Sequence, residues 1–262
     1  MKRSGIQISA KKNLVQISHL SRHYLLWLAT LTALLLPACN KSGLFQGAGT
    51  IKKVKVDVSD FREIILNDKV NLILTYDSIE QVAVEAGENL IGDISLSVRD
   101  NKIIISDDNK FKWSRNLDYS INVYVSSTLL DRITYYGAGN ITSTNTWKAS
   151  KFTIDSWTGI GTINMSLESD YTELIIRMAN ADIKLMGKSK VTSIYCADYG
   201  TLDLKDFESE EISMDYRSVR SSTIYVTKLL NAEILYKGDV YYRGTPLIKS
   251  TFNSTGKLIV LP

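Results

Sequence analysis

The sequence is poor in the residues that carry most enzyme chemistry. It has two histidines, two cysteines and three prolines in 262 residues. Both histidines, His19 and His23, fall in an opening segment that reads as an export signal over residues 1–38. The chain that follows the signal contains no histidine, which excludes Ser-His-Asp and Cys-His catalysis and every histidine metal site. The cysteines are Cys39, at the end of the signal, and Cys196, so no disulfide framework is available. No long amphipathic helical pattern is visible, and only Pro246 and Pro262 follow the signal.

Positive charge is scarcer than the total suggests. The whole chain is +3, but Lys2, Arg3, Lys11, Lys12 and Arg22 lie in the signal, which has no acid. The remainder carries 26 basic and 28 acidic side chains, a net of −2, and nothing in that balance points to nucleic acid as a partner. The one long apolar run, Leu25 to Leu36, is too short to span a membrane comfortably. It ends Leu36-Pro37-Ala38-Cys39, which resembles a bacterial lipobox. The resemblance implies acylation of Cys39 and a membrane partner through the lipid anchor, firmer than a single chain gives. Residues 39–50 read as a small, polar, glycine-containing tether.

What is abundant is a repeat of about twenty residues. One apolar register runs Ile133, Phe152, Leu174, Ile194, Ile212, Ala232, and a second runs Ile141, Ile163, Ile183, Leu202, Ile224, Val240, Leu258. Each opens a short run of period two, the side-chain alternation of a β-strand. Small residues or glycine fall between the runs, as in Gly159, Gly161, Ala179, Ala181 and Gly200. A fixed period of this size predicts a solenoid in which each unit buries its apolar face against its neighbours. The expected fold is all-β: a single-stranded parallel β-helix or β-solenoid of about twenty residues per rung, right-handed by the default for parallel crossovers. An inward column of Ile154, Ile176, Cys196 and Met214 follows from these registers, with Cys196 as a small buried hydrophobe. Residues 51–130 are β-patterned but less regular, and are expected to form N-terminal coils that cap the stack. Residues 131–262 form the regular solenoid, the two making one domain over 51–262.

The ordered set Phe61-x-x-Ile64, Val70-x-Leu72, Val82-x-Val84, Asn89-Leu90, Ile121-x-Val123, Leu130-x-x-Ile133 and Gly137-Ala138-Gly139-Asn140-Ile141 resembles the head GIN domain family. That family carries the label auto-transporter adhesin and is typical of Bacteroidetes lipoproteins. The resemblance covers residues 54–260. It implies a parallel β-helix-like fold and an envelope location. Ser126-Ser127-Thr128 stands where the family pattern often has proline.

Candidate sites are sought at outward positions. Asp155 and Arg177, and Lys184 and Asp203, are expected side by side on adjacent rungs as ladder contacts. Tyr225 and Tyr241 are expected outward on adjacent rungs, a platform for sugar rings or partner side chains, and Tyr195 is outward as well. The stretch 109–116 mixes Lys110, Lys112 and Arg115 with Phe111 and Trp113. It suits an anionic glycan or a membrane surface, or folds its aromatics back onto the stack. Asp77-Ser78-Ile79 resembles the short O-glycosylation acceptor motif of Bacteroidetes, placing a candidate modification at Ser78. The acidic run from Asp198 to Glu211 shows no acid/base pair, though Asp198 nominally points inward. No catalytic residue, metal site or cofactor is expected.

The reading is a non-enzymatic binding or adhesion-type module, whose partners are a glycan or an envelope protein. It sits in the outer membrane as a lipoprotein; because Asn40-Lys41-Ser42-Gly43 contains no acid, the periplasmic side is favoured over the cell surface. The alternatives are a polysaccharide-cleaving β-helix enzyme and a purely structural or stress-sensing envelope component.

Overall fold

The computed structural model describes residues 47–109 and 119–261. The export signal, Cys39 and most of the tether lie outside the described residues, as do Lys110, Lys112, Trp113 and Arg115. The described residues form a β-solenoid of about six turns with roughly twenty residues per turn.

The regular part is built from long strands, each bent so that it serves two faces. They are β9 (Ile141–Ser156), β10 (Thr162–Ile176), β11 (Asp182–Asp198), β12 (Thr201–Ser218) and β13 (Ser222–Ile234). Consecutive long strands pair in parallel from end to end, as in Ile163 opposite Ile183 through Ile176 opposite Cys196. The first half of each strand forms one face, a corner follows near its middle, and the second half forms the other face. A return turn of two to five residues then leads to the next rung. The strands β14 (Val240–Arg243), β15 (Leu247–Phe252) and β16 (Leu258–Val260) complete the far end.

Alternation buries every second side chain of both faces. On β10, Ile163, Met165, Leu167, Leu174 and Ile176 are all buried. One inward column on the second face is Ile133, Ile154, Leu174, Ile194, Met214 and Ala232. The next is Tyr135, Ser156, Ile176, Cys196, Tyr216 and Ile234. The expected column of Ile154, Ile176, Cys196 and Met214 therefore merges two real ones that lie two residues apart. Its four members do share the inward side of one sheet, but Cys196 stacks between Ile176 and Tyr216. On the first face the same slip occurs once: Ser222, not Ile224, lies opposite Val240. A slip of one residue would turn the side chains outward, whereas a slip of two preserves the pattern and is invisible to alternation.

The order of rungs in space differs from their order in the chain. The strands β2 (Glu63–Leu66) and β3 (Asn71–Tyr76) form a rung flanked on both sides. On one side lie β6 (Lys102–Asp107) and β7 (Asn122–Ser127); on the other lie β8 (Arg132–Tyr135) and β9. Antiparallel strands close the stack beyond β6 and β7. They are β5 (Ile94–Arg99) against β6, β4 (Gln81–Gly87) against β7, and β1 (Ile51–Val56) against β4. The helical turn α1 (Glu88–Ile91) follows β4. The β5–β6 hairpin turns on Asp100 and Asn101, with φ of 51° and 60°, as a two-residue type I′ loop requires. The outermost strand, β1, is exposed and carries Lys52, Lys53 and Lys55, side chains that discourage further edge pairing. The hydrophobic core runs unbroken from Phe61 to Val240.

Candidate binding surfaces

The corners place polar side chains in register. Ser169, Ser189 and Ser209 occupy equivalent positions on three successive rungs. The Ser169 hydroxyl donates to that of Ser189 at 3.1 Å, and the hydroxyls of Thr192 and Ser209 are 2.7 Å apart. Hydroxyls suit the inside of a corner because the bend opens the core locally and each finds a partner on the next rung. On either side of this hydroxyl column lies a row of charges. Lys148, Glu168, Lys188 and Glu208 form one row; Asp170, Lys190, Glu210 and Lys228 form the other. Lys188 lies 3.8 Å from Glu168, Lys190 lies 2.7 Å from Asp170, and Lys228 lies 2.7 Å from Glu210. Signs alternate along each row, so neighbours attract where like charges would repel. The rows border an open groove of about 640 Å³ that reaches Tyr76. Alternation analysis does not single out these residues, yet the sequence carries their signal: a serine between two charges, recurring at twenty-residue spacing.

A second polar cluster lies on the outer side of the second face. Asp155 is buried and accepts from Arg132 at 2.8 Å and from Arg177 at 3.1 Å. Arg177 also covers the ring of Trp157, 4.3 Å from its centroid. Glu63 joins the row through Lys102 at 2.8 Å and through the Thr134 hydroxyl. Asp155 and Arg177 thus meet, and Lys184 lies opposite Asp203 at 4.0 Å.

The tyrosines fall elsewhere. Tyr225 lies opposite Arg243, whose guanidinium covers its ring at 4.9 Å, while Tyr241 lies opposite Thr223. The two rings are therefore offset by two residues along their strands. Tyr195 lies opposite Asp215, with Arg217 5.8 Å from its ring. Ser78 is exposed in the turn after β3, next to the Asp77 carboxylate. The apparent inward placement of Asp198 is resolved by its backbone. At φ 55° it leaves the strand in a left-handed turn and is exposed.

Titratable groups inside the stack are held neutral. Burial pushes the Cys196 thiol up to about 12, and it raises the Tyr216 and Tyr135 hydroxyls as well. A thiol so placed is not a nucleophile. Among the described residues no group of histidine, cysteine and carboxylate side chains is arranged to hold a metal. No described helix is long and apolar enough to cross a membrane.

Solved structures share this fold. A protein from Bacteroides fragilis described as a "putative adhesin" superposes with a TM-score of 0.72 at 17% identity, covering 82% of this chain and all of that one. Proteins described as a "putative adhesin" from Parabacteroides merdae and a "Putative lipid binding protein" from Parabacteroides distasonis give TM-scores of 0.60 and 0.61. Their identities are 16% and 17%, and each covers 82% of this chain and is itself covered over 98%. No curated protein matches the sequence. The family model described as "Putative auto-transporter adhesin, head GIN domain" matches residues 60–246, so the chain belongs to the head GIN domain family.

Proposed function

We propose that the chain is an envelope-tethered adhesion module that binds without catalysis, held to the outer membrane through acylated Cys39, with the periplasmic side favoured. The observation that carries the binding role is the corner groove, where charges of alternating sign recur on four successive rungs beside serines on three. Such a surface matches a polymer whose own groups repeat, above all a glycan strand, through many weak contacts that sum by multivalency. Membership of an adhesin family supports the non-enzymatic reading. The carboxylates of the groove that pair with lysines are engaged in ion pairs, which leaves them poorly placed as a general acid and base.

A glycan array run beside a reducing-end assay on the same polysaccharides tests this. Binding without new reducing ends is the expected result, weakened by Lys148→Ala with Lys188→Ala. Turnover that survives repurification would replace the module by an enzyme. Silence in both assays would leave a structural envelope component. The anchor is tested separately: cells given an alkyne-tagged fatty acid should label the parent chain and leave Cys39→Ala unlabelled.

A further inference from the structure

The return turns, which join each long strand to the next and lie away from the mid-strand corners, carry an apolar ridge. Tyr136, Trp157, Met178 and Tyr199 follow one another at steps of 21 residues, and Val219 and Tyr236 continue the row. Met178 is 69% exposed, Ile160 beside the row 61% and Tyr199 58%. Of the fourteen large exposed hydrophobic side chains among the described residues, six lie on this edge. Four others belong to the last rung and two to β1, so this edge is the main apolar feature of the solenoid's flank. At about 4.8 Å per rung the row is about 24 Å long. It is held rigid by bonds between successive turns. Trp157 N–H donates to the Tyr135 carbonyl at 3.0 Å, Met178 N–H to Trp157 at 3.1 Å, and Val219 N–H to Asp198 at 2.9 Å.

An exposed, ordered apolar ridge marks an interaction surface, and three observations select its occupant. The first is chemical. Tyrosine and tryptophan alternate with aliphatic tips, and the turns from 136 to 257 carry four cations, Arg177, Arg220, Lys237 and Lys257, against one carboxylate, Asp239. Of these, Lys237 and Lys257 make no ion pair among the described residues. Amphipathic aromatics with cations beside them are the composition of a membrane–water interface. The second observation argues against sugar stacking. Trp157 is flanked by the Tyr136 ring of the rung before, at 6.2 Å and 22°, and by Arg177 of the rung after. The third is where the chain enters. Ile51 opens β1 opposite Gly87, and β4 reaches Gly87 at the return-turn end, since Glu85 lies opposite Asn122 and Asn122 opposite Asn71. The chain leading from Cys39 therefore joins the body on the ridge side. Gly47 is eight Cα–Cα steps from Cys39, a reach of at most about 28 Å.

We infer that the return-turn ridge lies on the lipid surface to which the chain is anchored, leaving the corner groove turned away from it. The tether keeps the ridge at high effective concentration over the bilayer, so weak interfacial contact suffices to orient the body. This placement rests on the anchor proposed at Cys39, but its test does not.

The test is cosedimentation of the chain from residue 40 onward with vesicles of phosphatidylethanolamine and phosphatidylglycerol. The unanchored chain should bind measurably, and Met178→Glu with Tyr199→Glu should weaken binding by at least about tenfold. Both residues are more than half exposed, so the melting temperature should be unchanged. Met178→Ser with Tyr199→Ser serves as a second variant and should weaken binding in the same direction. The groove variant Lys148→Ala with Lys188→Ala should bind vesicles as the parent does. Absence of vesicle binding by the parent, or equal binding by the ridge variants, overturns the inference. So does a ridge variant that loses binding to a glycan or protein while keeping its affinity for vesicles. A parent chain that takes up no fatty acid at Cys39 would remove the anchor without touching this result.

Discussion

The hydroxyls of Tyr216 and Ser222 lie 2.7 Å apart inside the solenoid, and their proton count fixes the direction of a short chain of bonds. Tyr216 donates to the Arg220 carbonyl, so Ser222 must donate to Tyr216, while Ser222 accepts from Leu202 N–H at 2.9 Å. Ser222 occupies a position where its neighbours Leu202 and Val240 are aliphatic. Tyr216→Phe strands both the Ser222 proton and the Arg220 carbonyl. We expect a loss of about 1–3 kcal/mol in chemical denaturation. A variant as stable as the parent would show that the chain of bonds contributes nothing.

Ser156 presents the opposite case. It shares the Tyr216 column, is fully buried, and its hydroxyl is without a hydrogen-bond partner among the described residues. Ser156→Ala removes that unpaired group and should raise stability by about 1 kcal/mol. A destabilised variant in the same denaturation assay would mean the hydroxyl is satisfied in solution.

Cys196 lies between Ile176 and Tyr216, its thiol directed at the Gly200 carbonyl at 3.5 Å. Serine at this position inherits that acceptor, so Cys196→Ser should cost about 1 kcal/mol. The thiol is pushed up to about 12 by burial, above the value near 8.5 of an unfolded chain. The neutral form is favoured in the fold, so its contribution is complete below about pH 8.5 and is lost as pH rises toward 12. Titration of Cys196 with an alkylating reagent should give no reaction at pH 8 until the protein unfolds. Rapid labelling of the native protein would contradict the placement.

Two glycines should behave differently. A Cβ at Gly139 would sit 1.8 Å from the Val70 carbonyl oxygen, whereas one at Gly92 would meet nothing within 4 Å. Gly139→Ala forces two return turns apart and should lower stability by about 1–3 kcal/mol. Gly92→Ala should stay within about 0.5 kcal/mol of the parent. Equal effects in thermal melts would refute the close approach of the turns at Gly139.

Asp155 joins three rungs, since it accepts from Arg132 of the rung before and Arg177 of the rung after. Asp155→Ala leaves two partly exposed arginines facing each other and should cost about 1–3 kcal/mol. A double-mutant cycle with Arg177→Ala should return a coupling of about 0.5 kcal/mol or more. A coupling of zero would reduce the pair to a solvated surface contact.

Side-chain alternation and repeat length are local properties, so the amino-acid order alone specifies a β-solenoid with a twenty-residue rung. It also determines which side chains lie inside along the strands, but not past their ends, where continued alternation would bury Met178 and Tyr236 and both are exposed. Phe152, Leu174, Cys196 and Met214 are all buried as their alternation requires. Tertiary structure alone decided which of them stack. Shifting a strand by two residues leaves its faces unchanged, so Cys196 had no local reason to choose Tyr216 over Met214. The order of rungs was likewise beyond local pattern. Ile64 pairs with Ile133 and Leu72 with Ile141, each 69 residues away, after the chain has gone out to cap the stack and returned. The outward surfaces divide in the same way. The charges flanking Ser169, Ser189 and Ser209 were legible as a repeat, but only the bend of the strands gathers them into a groove. The return-turn row of Tyr136, Trp157, Met178 and Tyr199 was present at its 21-residue spacing. Whether such residues fold inward or stand outward depends on the path of a turn, and that path is set by its bonds to the turns on either side.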